Sequence, residues 1–417
     1  MKRRNLSFYI HYPFCKAKCP YCDFNSHVRQ NIDYNSFLQG YLDEIEYFAQ
    51  NAKNRQVSTI FFGGGTPSLM PSYFVDKILA KISEKFTIDE NCEITLEANP
   101  TSFESEKFQE FKKSGINRLS IGVQALNDED LKFLGRQHSA KEAIKTIENA
   151  HKIFDNFSFD LIYARPKQNL AEWRKELELA LSFDTKHLSL YQLTIEKGTQ
   201  FFSDFKQKKF AMPNDKLSAE FYEMTNKIMA KNDFINYEIS NYCQKNPVWD
   251  GDPRKAGRDS CRVKNYQCQH NLVYWQGLDY AGIGAGAHSR IYFDNVQNRK
   301  NIIMISEPNL WLKKVQENKN GIQKIIEISK YELLEELILM GLRLDDGIDD
   351  KIFLLHFDKK IYEMIDLKKL QNLQDKGLLE ISNNKLRITK KGKIISNAII
   401  SKVCEAINIT NNLLRDQ

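Results

Sequence analysis

The sequence predicts an α/β fold, a partial, TIM-like (β/α)6 barrel with a smaller C-terminal α+β unit of winged-helix type. Two observations carry the barrel. Strand-length runs of apolar, β-branched and aromatic residues recur at Leu6 to His11, Thr59 to Phe62, Glu93 to Ala98, Arg118 to Gly122, Phe157 to Tyr163 and His187 to Gln192. Helix-period segments fill the intervals between them, and a succession of βα units requires a parallel sheet with right-handed crossovers. The residues with chemical character fall at or just beyond the strand ends, where a barrel gathers its function.

The intervening helices are expected over Tyr34 to Asn51, Pro71 to Lys85, Phe103 to Ser114, Ala140 to Ile153 and Leu170 to Phe183, with Gly115 placed as a helix stop. After Gln192 the alternation weakens. Asn214 to Lys231 reads as a helix, Tyr237-Glu-Ile-Ser-Asn241 follows, and residues 244–264 form a polar loop rich in Asp, Arg, Pro and Gly. Tyr331 to Arg343 is amphipathic. From Leu367 the tail reads as a helix ending at Gly377, a strand Leu378 to Ile381, an Asn383-Asn384 turn, a strand from Leu386 and a helix after Gly392. These features divide the chain into a core barrel (1–235), an extension (236–300) and a C-terminal domain (301–417).

A chain of 417 residues with 42% hydrophobic content is large enough for such a pair of cores. The basic start, Met-Lys-Arg-Arg-Asn, runs directly into a strand, and no stretch has the length of a membrane span. A cytoplasmic protein with no integral membrane segment is therefore expected. The 60 Lys and Arg against 54 Asp and Glu leave a surplus of six without a dense run, so nucleic-acid binding is not expected. Eight cysteines, three of them within one short segment, argue for metal binding in a reducing compartment and against a disulfide framework.

Those three are Cys15, Cys19 and Cys22, in the run His11-Tyr-Pro-Phe-Cys-Lys-Ala-Lys-Cys-Pro-Tyr-Cys-Asp23. Their spacing brings three thiolates to one side of a loop, which suits an iron-sulfur cube with one iron left open. A zinc site completed by His11 or His27 is the alternative. After the second strand, Phe62-Gly-Gly-Gly-Thr-Pro67 offers backbone amides that a ligand can approach without a Cβ in the way. Glu97 ends the third strand, placed either to bind ribose hydroxyls or to cap the next helix. Gln124, Arg136 and His138 follow the fourth strand, and Asp160 is an acid inside an apolar strand, costly unless paired or bound.

Together these residues resemble the radical S-adenosylmethionine superfamily. The resemblance implies a [4Fe-4S] cluster on Cys15, Cys19 and Cys22, whose open iron is chelated by the methionine end of S-adenosylmethionine. It implies electron transfer that breaks a carbon-sulfur bond to give a 5′-deoxyadenosyl radical. Cofactor contacts are implied at Tyr9, Tyr21, Gly64, Gly65, Thr66, Glu97, Gln124, Arg136 and Asp160.

The segments Tyr9 to Cys15, Ser120 to Ala125, Tyr237 to Asn241, His270-Asn-Leu-Val-Tyr-Trp275 and Gly282-Ile-Gly-Ala-Gly-Ala-His-Ser289 resemble the coproporphyrinogen III dehydrogenase-like group over nearly the whole chain. That group holds oxygen-independent dehydrogenases of coproporphyrinogen III and a branch of heme chaperones of HemW type. The dehydrogenases carry a fourth cysteine where this chain has Phe24. The His270 motif is typical of the chaperone branch, which implies heme as a further ligand and heme-acceptor proteins as partners. In physical terms, a neutral His270 can ligate heme iron while Tyr274 and Trp275 offer flat apolar surface, and in a helix Tyr274 shares a face with His270. The other reading of His270 is a structural tie between barrel and C-terminal unit.

The chain departs from the family where Gly-Leu-Pro-Gly is usual. It has Ala164-Arg-Pro-Lys167, two cations that either pair outward or meet anionic propionates. The polar loop adds Cys261, so Cys243, Cys261, Cys268 and His270 form a second conceivable metal set. The leading expectation is a heme chaperone, monomeric or homodimeric. The alternatives are coproporphyrinogen III oxidation to the divinyl product and a radical RNA-modifying enzyme.

Overall fold

The computed structural model describes residues 5–245, 266–294, 296–382 and 384–408. Cys261, and with it any test of the second metal set, lies outside them, as does Asn383. A twelve-stranded sheet dominates. Its parallel barrel strands are β1 (Leu6–Tyr12), β2 (Gln56–Gly64), β3 (Thr87–Ala98), β4 (Arg118–Gln124), β5 (Phe157–Tyr163) and β6 (His187–Gln192), each hydrogen-bonded to the next in chain order. This is the partial barrel the βα alternation predicts.

Both edges are extended. Beyond β6 lie the antiparallel β7 (Phe234–Asn236) and β8 (Asn241–Gln244), with β8 against β6. On the other side β9 (Tyr280–Ile283) runs parallel to β1, and β10 (His288–Ile291), β11 (Arg299–Met304) and β12 (Ile322–Ile328) continue antiparallel. The full order is β12-β11-β10-β9-β1-β2-β3-β4-β5-β6-β8-β7.

The helices follow the expected register closely. Asp33 caps the helix Tyr34–Asn51 by accepting the Ser36 N–H, and the apolar stripe Phe37, Tyr41, Ile45 and Phe48 enters the core against Phe8, Ile10 and Tyr12 of β1. Ala140–Ile153 begins with a capping box between Ser139 and Glu142. The segment expected as one helix from Phe103 is instead two short ones, Ser102–Glu106 and Phe108–Lys113. The break falls at Lys107, whose ammonium caps the carbonyls of Ser68, Leu69 and Met70, each 3.3 Å away.

Two large apolar cores divide the described residues, with a small third cluster around Leu131, Leu134 and Phe201. The larger runs from Leu6 to Val315 and the smaller from Ile328 to Ile407. A boundary at residue 300 would cut β11, which is paired on both sides, so we place the division between Val315 and Ile328. The smaller core carries a three-stranded sheet of β13 (Ile348–Asp349), β14 (Leu379–Ser382) and β15 (Lys385–Ile388) beside the helix Ser396–Glu405. That is the winged-helix arrangement. It docks on the barrel where Asp345 N–H donates to Tyr237 O (3.0 Å) and Lys393 reaches Asp345 (2.8 Å) and Asn236 (3.2 Å). Among the described residues no helix is long and apolar enough to cross a membrane.

Glu44 ties the extension to the barrel. From the buried face of the helix Tyr34–Asn51 its carboxylate accepts the N–H groups of Gly284 (2.7 Å) and Gly321 (2.9 Å) and the Trp311 indole N–H (2.8 Å). Trp311 stacks on Phe37 at 5.8 Å, over Gly40, where a Cβ would lie 2.8 Å from its ring. Burial pushes the Glu44 carboxyl up to about 7. Substituting Glu44→Ala strands buried donors that each cost roughly 1–3 kcal/mol. Chemical denaturation should therefore show a loss of roughly 3 kcal/mol or more, with hydrogen exchange rising first in β9–β12.

Candidate functional site

A cavity of about 380 Å³ opens at the C-terminal ends of the barrel strands, and Cys15, Cys19 and Cys22 line it together with Tyr21, Gly64, Gly65, Thr66, Glu97, Gln124, Arg136 and Asp160. One site thus gathers every cluster and S-adenosylmethionine residue expected from the sequence except Tyr9. Tyr9 does not line the cavity; its ring packs beside the stacked Phe61 (6.2 Å) and His270 (6.3 Å), with its hydroxyl donating to His11 Nδ1 (3.1 Å). A Cβ on Gly63 would meet both the Tyr9 ring and Glu97 Oε2, so Tyr9 supports the acid without lining the cavity.

The cysteine loop is held from several sides. Thr66 donates to Cys15 Sγ and Arg136 Nη1 to Cys19 Sγ, each at 3.4 Å, while Cys22 N–H turns back to Cys19 O (3.1 Å). Burial raises the Cys15 and Cys22 thiols, opposed at Cys15 by the Thr66 hydrogen bond. His11 is not a free ligand for zinc, because Nε2 donates to Asn25 O (2.9 Å) and Nδ1 accepts from Tyr9. Among the described residues no three His, Cys, Asp or Glu side chains converge on a single ion. That suits a cube, whose three thiolates each bind a different iron, better than zinc.

The glycine run serves packing more than ligand approach. Gly64 has φ of +111° and a Cβ there would strike the His11 ring, while on Gly65 it would lie 2.5 Å from Phe14 O. These glycines let β2 end against β1. Gln124, at φ of +72°, is a non-glycine residue in the left-handed region, and the β4–β5 register slips between Ile121 and Gln124. The slip turns the Gln124 side chain into the cavity.

Arg136 spans the site. Beyond Cys19, its Nη2 donates to Asn99 Oδ1 (2.6 Å) and Gly122 O (2.7 Å). Opposite stand two half-buried carboxyls. Glu97 accepts the Gly64 N–H (3.2 Å) and does not cap the next helix, a role taken by Thr101. Burial and the neighbouring Asp160 push Glu97 up to about 8, and burial pushes Asp160 up to about 6 against the pull of Ser189, Arg118 and Arg136. Asp160 Oδ1 and Arg136 Nε are buried without a partner in the protein. Such orphaned polar atoms on facing walls call for a polar ligand between them.

Two contributors escaped the sequence reading. Asn99 links Arg136 to Thr66, donating to its hydroxyl at 3.1 Å. Arg118, fully buried on β4, donates to Ser158 (2.9 Å) and lies 3.9 Å from Glu93. Its signal was the one that exposed Asp160, a charge inside an apolar strand.

The His270 motif forms the helix Gln269–Trp275, and Tyr274 shares a face with His270 as expected. The imidazole, however, is buried and fully engaged. Nδ1 bonds Thr59 Oγ1 (2.7 Å), Nε2 bonds Tyr274 OH (2.8 Å), and the ring stacks on Phe61 at 5.1 Å. Burial and the Arg118 charge push it down to about 3. The heme-ligand role expected for His270, with Tyr274 and Trp275 as porphyrin surface, would require both bonds to break, so the geometry assigns it the structural tie. Arg165 likewise turns away from the cavity, buried between Glu176 (2.6 Å) and Asp130 (2.7 Å), and Lys167 points to solvent. Phe24 lines the cavity rim with 60% of its surface exposed.

Comparison with known proteins agrees with this geometry. The radical SAM superfamily model matches residues 9–180 and the HemN C-terminal domain model residues 328–395. The heme chaperone HemW of Buchnera aphidicola from Acyrthosiphon pisum is 34% identical over 398 residues, covering 95% of this chain and 97% of that protein. The mitochondrial radical S-adenosyl methionine domain-containing protein 1 of Danio rerio is 31% identical over 402 residues, covering 95% and 86%. This chain belongs to the radical SAM superfamily, in its HemN-like group with HemW. The solved structure of the Escherichia coli coproporphyrinogen III oxidase HemN shares the fold, with a TM-score of 0.76 over 96% of this chain and 90% of that one at 21% identity.

The residues present fit the radical SAM cofactors. Three thiols, a spanning arginine, two carboxyls, one of them with an unpartnered oxygen, and a polar glutamine share one cavity. Cys15, Cys19 and Cys22 would hold the cluster, and Glu97, Gln124, Arg136 and Asp160 the polar groups of S-adenosylmethionine. In the cofactor-free protein, Glu97 keeps its proton up to about pH 8 when folded but only to its ordinary value of 4.5 when unfolded. Its contribution to stability is full below the ordinary value and is lost as pH rises through 8. Glu97→Gln should therefore flatten the decline of melting temperature between pH 5 and 9. Asp160→Ala should weaken S-adenosylmethionine binding by roughly tenfold in calorimetry, with cluster absorbance retained.

Proposed function

We propose that the protein is a heme chaperone of HemW type, which binds heme and passes it to acceptor proteins, and that it works in the cytoplasm with a [4Fe-4S] cluster and S-adenosylmethionine in its barrel cavity. The observation that carries this reading is Phe24. It stands where the dehydrogenases resembled by this chain place a fourth cysteine, and it offers an exposed apolar ring at the rim of the cofactor cavity. Support comes also from full-length similarity to proteins named as heme chaperones.

The cofactors, when bound, supply reductive cleavage of a carbon-sulfur bond. The chain itself holds and encloses them. Cys15, Cys19 and Cys22 present thiolates on a loop braced by Thr66 and Arg136. Glu97 and Asp160, neighbours in the cavity wall, do not both ionise easily near neutral pH, so the pocket favours a ligand that donates hydrogen bonds or carries positive charge. Both features suit the hydroxyls and sulfonium of S-adenosylmethionine.

Anaerobic reconstitution followed by heme titration and a coproporphyrinogen III assay on one sample tests the proposal. Retention of heme with no conversion to protoporphyrinogen IX is expected. Conversion without retained heme would replace the chaperone reading by that of an oxidative decarboxylase.

A further inference from the structure

The motif Gly282-Ile-Gly-Ala-Gly-Ala-His-Ser289 has no part in the cofactor cavity, yet it builds a distinct surface. Paired residues on antiparallel strands share a face, and neighbours along a strand alternate. The register of β10, β11 and β12 therefore puts His288, Ile303 and Lys324 in one row, with Arg290, Asn301 and Ile326 in the next row on the same face. The opposite face, with Ser289, Ile291 and Ile302, is buried, and its isoleucines belong to the main core. At its far end this face packs on the smaller core through Tyr292 and Ile328, and at the His288 end it is uncovered: His288 and Lys324 are exposed and Ile303 and Ile326 half-exposed.

The row continues into the barrel. Tyr280 pairs with Arg290, which places Gly282 beside His288, and Gly282 pairs with Tyr9. A Cβ on Gly282 would collide with the backbone of His288. The His288 backbone thus packs closely over Gly282, which fixes β10, and with it the His288 side chain, against β9. Arg290 is held by Glu336 at 3.1 Å, whereas Lys324 has no ion-pair partner and His288 no hydrogen-bond partner among the described residues.

An unengaged imidazole, two half-exposed isoleucines in adjoining rows and an ammonium without an ion-pair partner among the described residues match one kind of ligand. Heme is a flat apolar ring with an iron that accepts imidazole and two propionates that seek cations. We propose that heme docks on this open face of β9–β12, with His288 as an axial ligand of the iron, Ile303 and Ile326 beneath the ring and Lys324 at a propionate. The proposal rests on the heme-chaperone reading and moves the heme seat from the buried His270 to the sheet extension that Glu44 anchors.

The test titrates heme into the reconstituted full-length chain and into His288→Ala, Lys324→Glu and His270→Ala, following heme absorption and electron paramagnetic resonance, with melting temperature and cluster absorbance as controls of folding. His288→Ala should weaken heme binding at least tenfold and change the axial-ligand signature, and added free imidazole should restore that signature. Lys324→Glu should weaken binding without changing the signature. If the parent retains heme and His288→Ala binds it with the same affinity and signature, this seat is wrong while the chaperone reading stands. Weakened binding in His288→Ala that imidazole cannot restore would likewise remove the ligand role. A parent that retains no heme would overturn both.

Discussion

The interior of this barrel is organised around a buried charge. Arg118 enters from β4 with almost no solvent contact, donates to Ser158 and faces Glu93, with the Asp160, Tyr237 and Cys268 side chains close enough to act on its charge. A guanidinium in a low-dielectric interior is tolerated only when anions and acceptors surround it, and removing one partner leaves the rest uncompensated. The surrounding elements are therefore committed to one arrangement. Glu93 accepts the backbone N–H of His270 (3.2 Å), and Tyr237 OH accepts that of Cys268 (3.2 Å) and bonds His187 (2.9 Å). Strands from the first half of the chain and the helix Gln269–Trp275 from the second are fastened by the same network.

That network also forms the underside of the cofactor cavity. Asp160 and Glu97 look into the cavity from above, while Arg118 lies beneath and lowers the cost of ionising both. The polarity of the pocket is thus set partly by residues no ligand touches. The His270 motif takes its place in the same layer, as a plug whose ring is packed on Phe61 and whose two nitrogens are spent inside the protein. A histidine in this setting orders the fold around the cavity and has no free valence for a metal.

The open edge of the barrel follows a different logic. On one face β9–β12 pack into the main core, secured by Glu44 and Trp311, and on the other they leave side chains in solvent. A sheet with one covered face is ordinary among antiparallel strands. Asn25, next to the exposed Phe24 of the cavity rim, donates to Ala285 O and Ser306 O and so ties the cysteine loop to this extension.

Much of this was legible in the sequence because it is local. The spacing of Cys15, Cys19 and Cys22, the strand-end positions of Glu97 and Gln124, the acid Asp160 inside an apolar strand, the caps of the helices and the winged tail all follow from neighbours within a few residues. Of the two readings open for Arg165 the fold selects the ion pair, since Glu176 and Asp130 reach it only through the fold, and Gly64 and Gly65 both line the cavity and make room for His11 and Phe14. His270 is the clearest case. Its residue type and helical spacing offered a heme ligand, and its bond to Thr59, 211 positions away in the chain, determines otherwise. By itself the sequence determined the barrel, its cluster loop and the carboxyls of its cavity, because periodicity and spacing are written along the chain. Only tertiary structure decided which histidine is engaged and which is free, because that depends on what long-range pairing leaves buried.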